Sequence, residues 1–266
     1  MDSVQRLDET QHFMPVEQMV VCASRTIQDK DVVYVGTGIP VAASFLAKYL
    51  HAPNATIMFE TGAIRTTLCA LPFGVDTLET QARADYVADG FYVNSLAQRG
   101  RVDLGFMGAG QVDRFGNTNS TAVGSYEQPI LRYPGGGGAC EVASLCKRVV
   151  ILLKQNKPRF PDRVDYITGP GYLDGKPGSR ERAGLPPDTG PAYVITDMAK
   201  YRFEDRDMVV ESIHKNSSVD QINANVGWDI KLPKDVQPTV IPTSEELEVL
   251  RKVVDPEGAL SGGRLM

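Results

Sequence analysis

The 266-residue chain has only three histidines, His12, His51 and His214, and four cysteines, Cys22, Cys69, Cys140 and Cys146. No two histidines share a ligand-like spacing and no cysteine pair forms a CxxC. Neither a metal site nor a disulfide framework is expected. An excess of basic charge is missing too. The chain has 28 Lys+Arg against 33 Asp+Glu, a net −5 with no basic block, which argues against nucleic acid as a partner. Long hydrophobic runs are lacking. The densest, residues 149–153, falls far short of the roughly 20 residues that a membrane helix needs. The first thirteen residues are polar and of mixed charge, unlike a secretory signal. These absences predict a cytoplasmic protein with no membrane segment and no metal. What is present is ordinary globular material. At 42% hydrophobic and 23% charged, the chain is too apolar for disorder and long enough for a sizeable core.

Behind Pro15, apolar residues at 16, 19, 20, 23 and 27 predict a helix with proline in its first turn. Asp31-Val32-Val33-Tyr34-Val35 reads as a buried strand. Gly36-Thr37-Gly38-Ile39-Pro40 follows, then helical spacing from 41 to 50, then a strand at 56–59 closed by Glu60-Thr61-Gly62. Strand, glycine turn, helix, strand is a βαβ unit, which predicts a parallel sheet with helices on its faces. Residues 63–90 carry no clear period. A helix is expected over 91–98, a strand over 102–107, a returning strand over 120–123, a helix over 139–146 and a strand over 148–153. Glycines and prolines between 158 and 187 predict a long ordered loop. Three strands (193–196, 201–203, 208–212) and two helices (218–225, 244–253) complete the pattern. No repeat or linker interrupts it, so residues 1–266 are read as a single α/β domain.

Several positions could carry chemistry. Gly36-Thr37-Gly38 begins like a dinucleotide fingerprint, but Val41 stands where the third glycine belongs, which argues against an NAD site. The turn either requires positive φ or presents N–H groups to a carbonyl or phosphate. Glu60 sits at a strand's carboxyl end, where α/β sheets place ligands and also ion pairs. The run Gly135 to Gly138 is either a flexible loop or a cradle of N–H donors for an oxyanion. Asn117 and Asn119 suit turn chemistry, whereas Gln111 is a residue that a turn does not need. Cys69 reads as a small hydrophobe and Trp228 as a packing residue. Arg65 either faces a second substrate charge or pairs at the surface.

In this order, these segments resemble the class I coenzyme A transferases, specifically the beta subunits of the glutaconate CoA-transferase type. The segments are 35–40, Phe59-Glu60-Thr61-Gly62, 108–113, 116–121, Gly135 to Ala139, and 169–186, so the likeness covers roughly residues 15–258. It implies a three-layer α/β fold around a mostly parallel sheet. It also implies an alpha-subunit partner, in an α2β2 or larger assembly, with the active site between the two. The strand-end glutamate of the family's Glu-Ser-Gly motif is its nucleophile. Here that position is Glu60, in Glu-Thr-Gly. The resemblance assigns oxyanion and CoA contacts to Gly136, Gly137, Gly138 and Ala139, and substrate contacts are expected from Gly36, Gly38, Gln111 and Asn119. Coenzyme A is expected as a substrate, with no permanently bound cofactor. The implied reaction moves CoA between an acyl-CoA and a carboxylic, expectedly dicarboxylic, acid through a glutamyl-CoA thioester. Relatives that lack the glutamate act as ring-opening hydrolases or decarboxylases, which is the alternative.

Overall fold

Pro15 opens α1 (Pro15–Ser24) as the spacing predicts, and the Glu17 carboxylate accepts the Met14 N–H at 2.7 Å. The computed structural model describes residues 12–36, 38–67, 70–72, 74, 77–260 and 262. The readings on Thr37 and Cys69 lie outside these residues. The βαβ unit follows as β1 (Val32–Val35), α2 (Ile39–Leu50) and β2 (Thr56–Phe59), with β1 and β2 parallel from Val32 opposite Thr56 to Val35 opposite Phe59. The stretch without a period holds two two-residue strands, β3 (Ala63–Ile64) and β4 (Tyr86–Val87). Next come α3 (Gly90–Gln98), capped by the Asp89 side chain on Tyr92 N–H, and β5 (Leu104–Gly108).

Two hairpins follow: β6 (Gln111–Val112) with β7 (Thr118–Asn119), and β8 (Ala122–Gly124) with β9 (Pro129–Arg132). The chain then runs through α4 (Ala139–Leu145) and β10 (Arg148–Leu152) to the long loop, which carries one helical turn, α5 (Ser179–Arg182). Strands β11 (Pro191–Ile195), β12 (Ala199–Glu204) and β13 (Asp207–Ile213), helix α6 (Val219–Ala224), strand β14 (Gln237–Pro238) and helix α7 (Ser244–Val249) complete it.

Ten strands form one sheet in the order β14-β13-β12-β11-β10-β5-β1-β2-β3-β4. Its centre, β11-β10-β5-β1-β2, is parallel. The flanks β3-β4 and β12-β13 are antiparallel, and β14 pairs parallel to β13. The central strands are buried on both faces, which is why they read as unbroken apolar runs. One face packs α1, α2 and the segment 250–254 through Val20, Phe45, Leu46, Val33, Phe59 and Leu250. The other packs α3, α4 and α6 through Val93, Val142, Ile222, Tyr34, Met58 and Ile151. The result is the three-layer α/β arrangement.

Candidate active site

The turn after β2 sets the position of Glu60. Gly62 N–H closes it on Phe59 C=O at 3.0 Å, with Gly62 at φ +116°. A Cβ on Gly62 would fall 2.2 Å from Ala88 C=O. Only glycine permits both the angle and the approach, so Glu60 is fixed at the carboxyl end of β2. Its side chain is half-buried, and Oε2 accepts the Gly138 N–H at 3.2 Å. No lysine or arginine among the described residues pairs with this carboxylate. Glu60 and the glycine run therefore meet across 78 positions of sequence.

Gly138 precedes α4 with φ −79°, an angle any residue adopts. Glycine is needed there for room. A Cβ would stand 2.7 Å from Glu60 Oε2 and 2.9 Å from Tyr34 Oη. Gly137 is different. Its φ is +51°, and a Cβ would keep 3.8 Å from Glu60. Gly136 lies against Thr168, and its C=O accepts the Ala139 N–H at 2.8 Å, which closes the turn that enters α4. The run is thus an ordered turn laid over the carboxylate.

Tyr34 lies in the strand core as the sequence predicts, and it also borders the Gly138 turn. It is 1% exposed, and its hydroxyl donates to Asn94 Oδ1 at 3.1 Å. Burial raises the phenol's pKa, and the nearby Glu60 charge raises it further, so the hydroxyl keeps its proton. A lone tyrosine in an all-valine strand was the available signal.

The other expected site residues separate. Gly38 takes φ +77° at the start of α2, whose first residues Ile39 and Pro40 line a cavity. Gly36 stands beside it with open space where a side chain would be. Gln111 and Asn119 are not brought to Glu60. Both are buried, and both amides are saturated. Gln111 Nε2 donates to Asp165 at 2.9 Å, and its Oε1 accepts from Asn119 Nδ2 at 2.7 Å and Asp165 N–H at 3.2 Å. Asn119 also bonds Ala122 C=O and accepts the Thr121 and Ala122 N–H groups. The second Gln111 N–H reaches Pro158 C=O at 3.5 Å, so both amides are committed within the protein. They brace the β6–β7 hairpin instead. Arg65 pairs with Asp85 at 3.5 Å on the surface.

The cavity holds about 540 Å³ at the carboxyl ends of β5 and β10. Ile39, Pro40, Tyr133, Pro134, Leu152 and Leu153 give it apolar walls, and Gly135, the first of the four glycines, is part of its lining. An edge of apolar surface lies on the other side of Glu60. Gly90 packs against Glu60 C=O, and next to it Phe91 is 84% exposed, with Tyr86 and Val87 of the edge strand about half exposed.

Residues 16–225 match the family model described as coenzyme A transferase. The chain is 37% identical to the beta subunit of the 3-oxoadipate CoA-transferase of Pseudomonas knackmussii, over 92% of this chain and 95% of that one. It is 32% identical to the beta subunit of the glutaconate CoA-transferase of Acidaminococcus fermentans, over 90% and 92%. The crystal structure of that glutaconate enzyme superimposes with a TM-score of 0.89 at 29% identity, covering 94% of this chain and 97% of that one. A shorter match, 30% identity over 56% of this chain and 58% of the other, links it to the cholesterol ring-cleaving hydrolase IpdB of Rhodococcus jostii. The matches to the two transferase relatives run nearly end to end, and the three-layer fold agrees with them: the chain belongs to the coenzyme A transferase family, among its beta subunits.

Proposed function

We propose that Glu60 is the nucleophile of this CoA-transferase and carries CoA as a thioester between an acyl-CoA and a dicarboxylic acid. The carboxylate oxygen attacks the thioester carbonyl, the C–S bond breaks, and CoA leaves as thiolate from a mixed anhydride. The thiolate then attacks the glutamyl carbonyl. The first acid departs, and Glu60 holds CoA as a thioester. An incoming carboxylate runs the sequence backwards and leaves as the new acyl-CoA. Each step exchanges one activated acyl link for another, so no redox partner and no net proton are needed. A carboxylate is a weak nucleophile, which makes its surroundings decisive. Backbone donors from Gly137 and Gly138 suit the tetrahedral oxyanions, and one such donor is typically worth about 3–4 kcal/mol.

One observation carries this reading. The Glu60 carboxylate stands at the sheet's ligand-binding edge, held by a single backbone N–H and by no cation among the described residues. A structural glutamate at a strand end would be expected to hold an ion pair, as Asp207 does with Arg114. The dicarboxylic acid is inferred from the two transferase relatives, whose names specify 3-oxoadipate and glutaconate. The partner is an alpha subunit, in an α2β2 or larger assembly. The exposed Tyr86, Val87 and Phe91 beside Glu60 are the surface we assign to it, since covering them would exclude water from the anhydride. Among the described residues no helix is long and apolar enough to cross a membrane, and we place the enzyme in the cytoplasm.

The test uses the complex purified with its alpha partner. After incubation with acyl-CoA, hydroxylamine or borohydride should leave a mass change on the peptide containing Glu60, and Glu60→Ala should abolish transfer. An unmodified peptide in a turning-over enzyme would overturn the scheme. A ring-opening hydrolase or decarboxylase would act with no second acid present, so acceptor dependence separates the alternatives.

A further inference from the structure

A second cavity, of about 520 Å³, opens at the opposite edge of the sheet. Lys147, Arg148, Gly190 and Pro191 place it at the amino ends of β10 and β11, and the β12–β13 turn adds Asp205 and Arg206 to its lining. It shares no lining residue with the cavity beside the glycine run. A strand's length, about 15 Å, separates it from the edge that carries Glu60. Nothing in the transferase chemistry uses it.

Its buried charge is Arg180, 5% exposed. The guanidinium donates to the C=O groups of Pro170, Gly171 and Ala143 and to Thr189 Oγ1, all uncharged acceptors. Its Nε is buried with no partner. Bare backbone faces that nitrogen: Gly190 is buried at φ +135°, and a Cβ there would stand 3.3 Å from Arg180 Nε. A cation taken out of water calls for an opposite charge, and no carboxylate pairs with this one among the described residues. Half-buried Arg206 has no carboxylate partner among them either. Other lining cations do: Lys147 holds Asp103 and Arg148 holds Asp31, each at 2.7 Å. Lys176, exposed, reaches Asp174 at 3.5 Å. Three lining acids, Glu181, Asp188 and Asp205, oppose these cations, but all three are exposed. Salt screens exposed charges beyond about 8 Å, whereas the field of a buried guanidinium is screened far less.

Two uncompensated cations at one cavity match a compact dianion. A phosphate monoester carries about −1.5 to −2 at neutral pH and fits the fork of an arginine. A dicarboxylate spreads its two charges along its chain. The other walls suit an organic group: Tyr172 packs edge-on to Phe203 with centroids 5.4 Å apart, beside Pro186 and Pro191. We propose that this cavity binds a small phosphate monoester, with Arg206 and Lys176 contacting the phosphate, Arg180 supplying buried positive charge, and the Tyr172–Phe203 wall taking the organic part. The site is separate from the proposed transfer reaction and does not depend on it.

The test titrates the assembled enzyme with phenyl phosphate, inorganic phosphate and phenol, read by calorimetry. Phenyl phosphate should bind tightest, inorganic phosphate more weakly, and phenol not measurably. Arg206→Asn keeps a residue that tolerates φ +70°. Combined with Lys176→Gln, it should raise Kd for phenyl phosphate about tenfold or more. Asp205→Asn removes an opposing charge and should lower that Kd about twofold. Arg180 stays intact in these variants because the 169–190 loop hangs on its hydrogen bonds. Native affinity in a double variant that melts at the native temperature would overturn the proposal, since the phosphate would then sit elsewhere on the enzyme. So would phenol binding as well as its phosphate ester, or a double variant that loses affinity for glutarate and none for phenyl phosphate.

Discussion

Gly138→Ala tests whether the Glu60 carboxylate acts from where the structure holds it. At φ −79° and ψ 7°, alanine would enter without backbone strain. Its Cβ, however, would stand 2.7 Å from Glu60 Oε2 and 2.9 Å from Tyr34 Oη. Carbon–oxygen contacts ordinarily begin at about 3.3 Å, so an oxygen must retreat by about half an ångström. Tyr34 is walled into the core and tied to Asn94. The carboxylate ends a flexible side chain and yields first. The 2.9 Å approach to Tyr34 Oη must be taken up by a shift of the turn itself, so stability should fall modestly. Gly to Ala before a helix costs under about 1 kcal/mol, which lowers Tm by about 2–4 °C for a chain of this size. Catalysis should respond strongly, because displacing a reacting group by about 1 Å can cost about 100-fold. That is about 2.7 kcal/mol on the barrier.

Gly137→Ala is the matched control. Its Cβ clears Glu60 by 3.8 Å, but its φ is +51°, so it should lose about 1–2 kcal/mol of stability while leaving the carboxylate in place, and any activity it loses reports on the donor role proposed for the Gly137 N–H. The assay pairs kcat/KM for acyl-CoA plus acid with a thermal melt and with trapping of the Glu60 adduct. Turnover by Gly138→Ala within about threefold of the native rate would refute the reasoning. So would equal activity losses in both variants with unchanged melting.

Three further outcomes are expected. Arg180 is 5% exposed and donates to the C=O groups of Pro170, Gly171 and Ala143 and to Thr189 Oγ1; Arg180→Met should cost about 3 kcal/mol, read as a fall in the denaturation midpoint. Asn117 bonds both Asp113 carboxylate oxygens and Leu173 C=O, and accepts the Gly171 and Leu173 N–H groups; Asn117→Ala should speed hydrogen exchange across 169–175 and cost about 3 kcal/mol. Burial lowers the His214 pKa to about 4, below the 6.5 of the unfolded chain. As pH falls through 6.5 the unfolded state takes up the proton first, so stability should decline by up to about 3 kcal/mol towards pH 4. His214→Gln should flatten that slope in urea melts at pH 7 and 5.

The βαβ unit was legible because its strands are buried on both faces and read as apolar runs bounded by Pro15, Gly38 and Gly62. What escaped has physical causes. Strands of two residues, such as Ala63–Ile64 and Tyr86–Val87, are too short to show a period. The tight turn between β12 and β13 uses Asp205 and Arg206 at φ 49° and 70°, the left-handed geometry that Asn-Gly normally signals. Those two residues give no such signal. In the site, Glu60 and the glycines were readable as types, but their meeting was not, since 78 positions separate Glu60 from Gly138. The bracing of Gln111 was not legible because its partner, Asp165, lies 54 positions away.

The topology explains why the separated parts meet at all. In a parallel sheet with helical crossovers, every strand ends and every following helix begins on the same edge. Glu60 ends a strand and Gly138 begins a helix, so the fold places both on that edge whatever their distance in sequence. What the fold alone does not supply is the lateral shift from β5 to a point beside β2, where α4 must start. The two hairpins between Gly108 and Gly138 make that detour, and buried polar groups brace it. Gln111 and Asn119 lock the first hairpin. Thr168 accepts the Ser120 N–H, bonds the Thr121 hydroxyl, and places its methyl group against Gly136. These groups reach Glu60 only through the backbone they hold, so their loss should move the glycine run first. The Glu60 carboxylate is therefore positioned twice, by its own strand and by a braced loop that returns over it. The single N–H at 3.2 Å is the seam between the two.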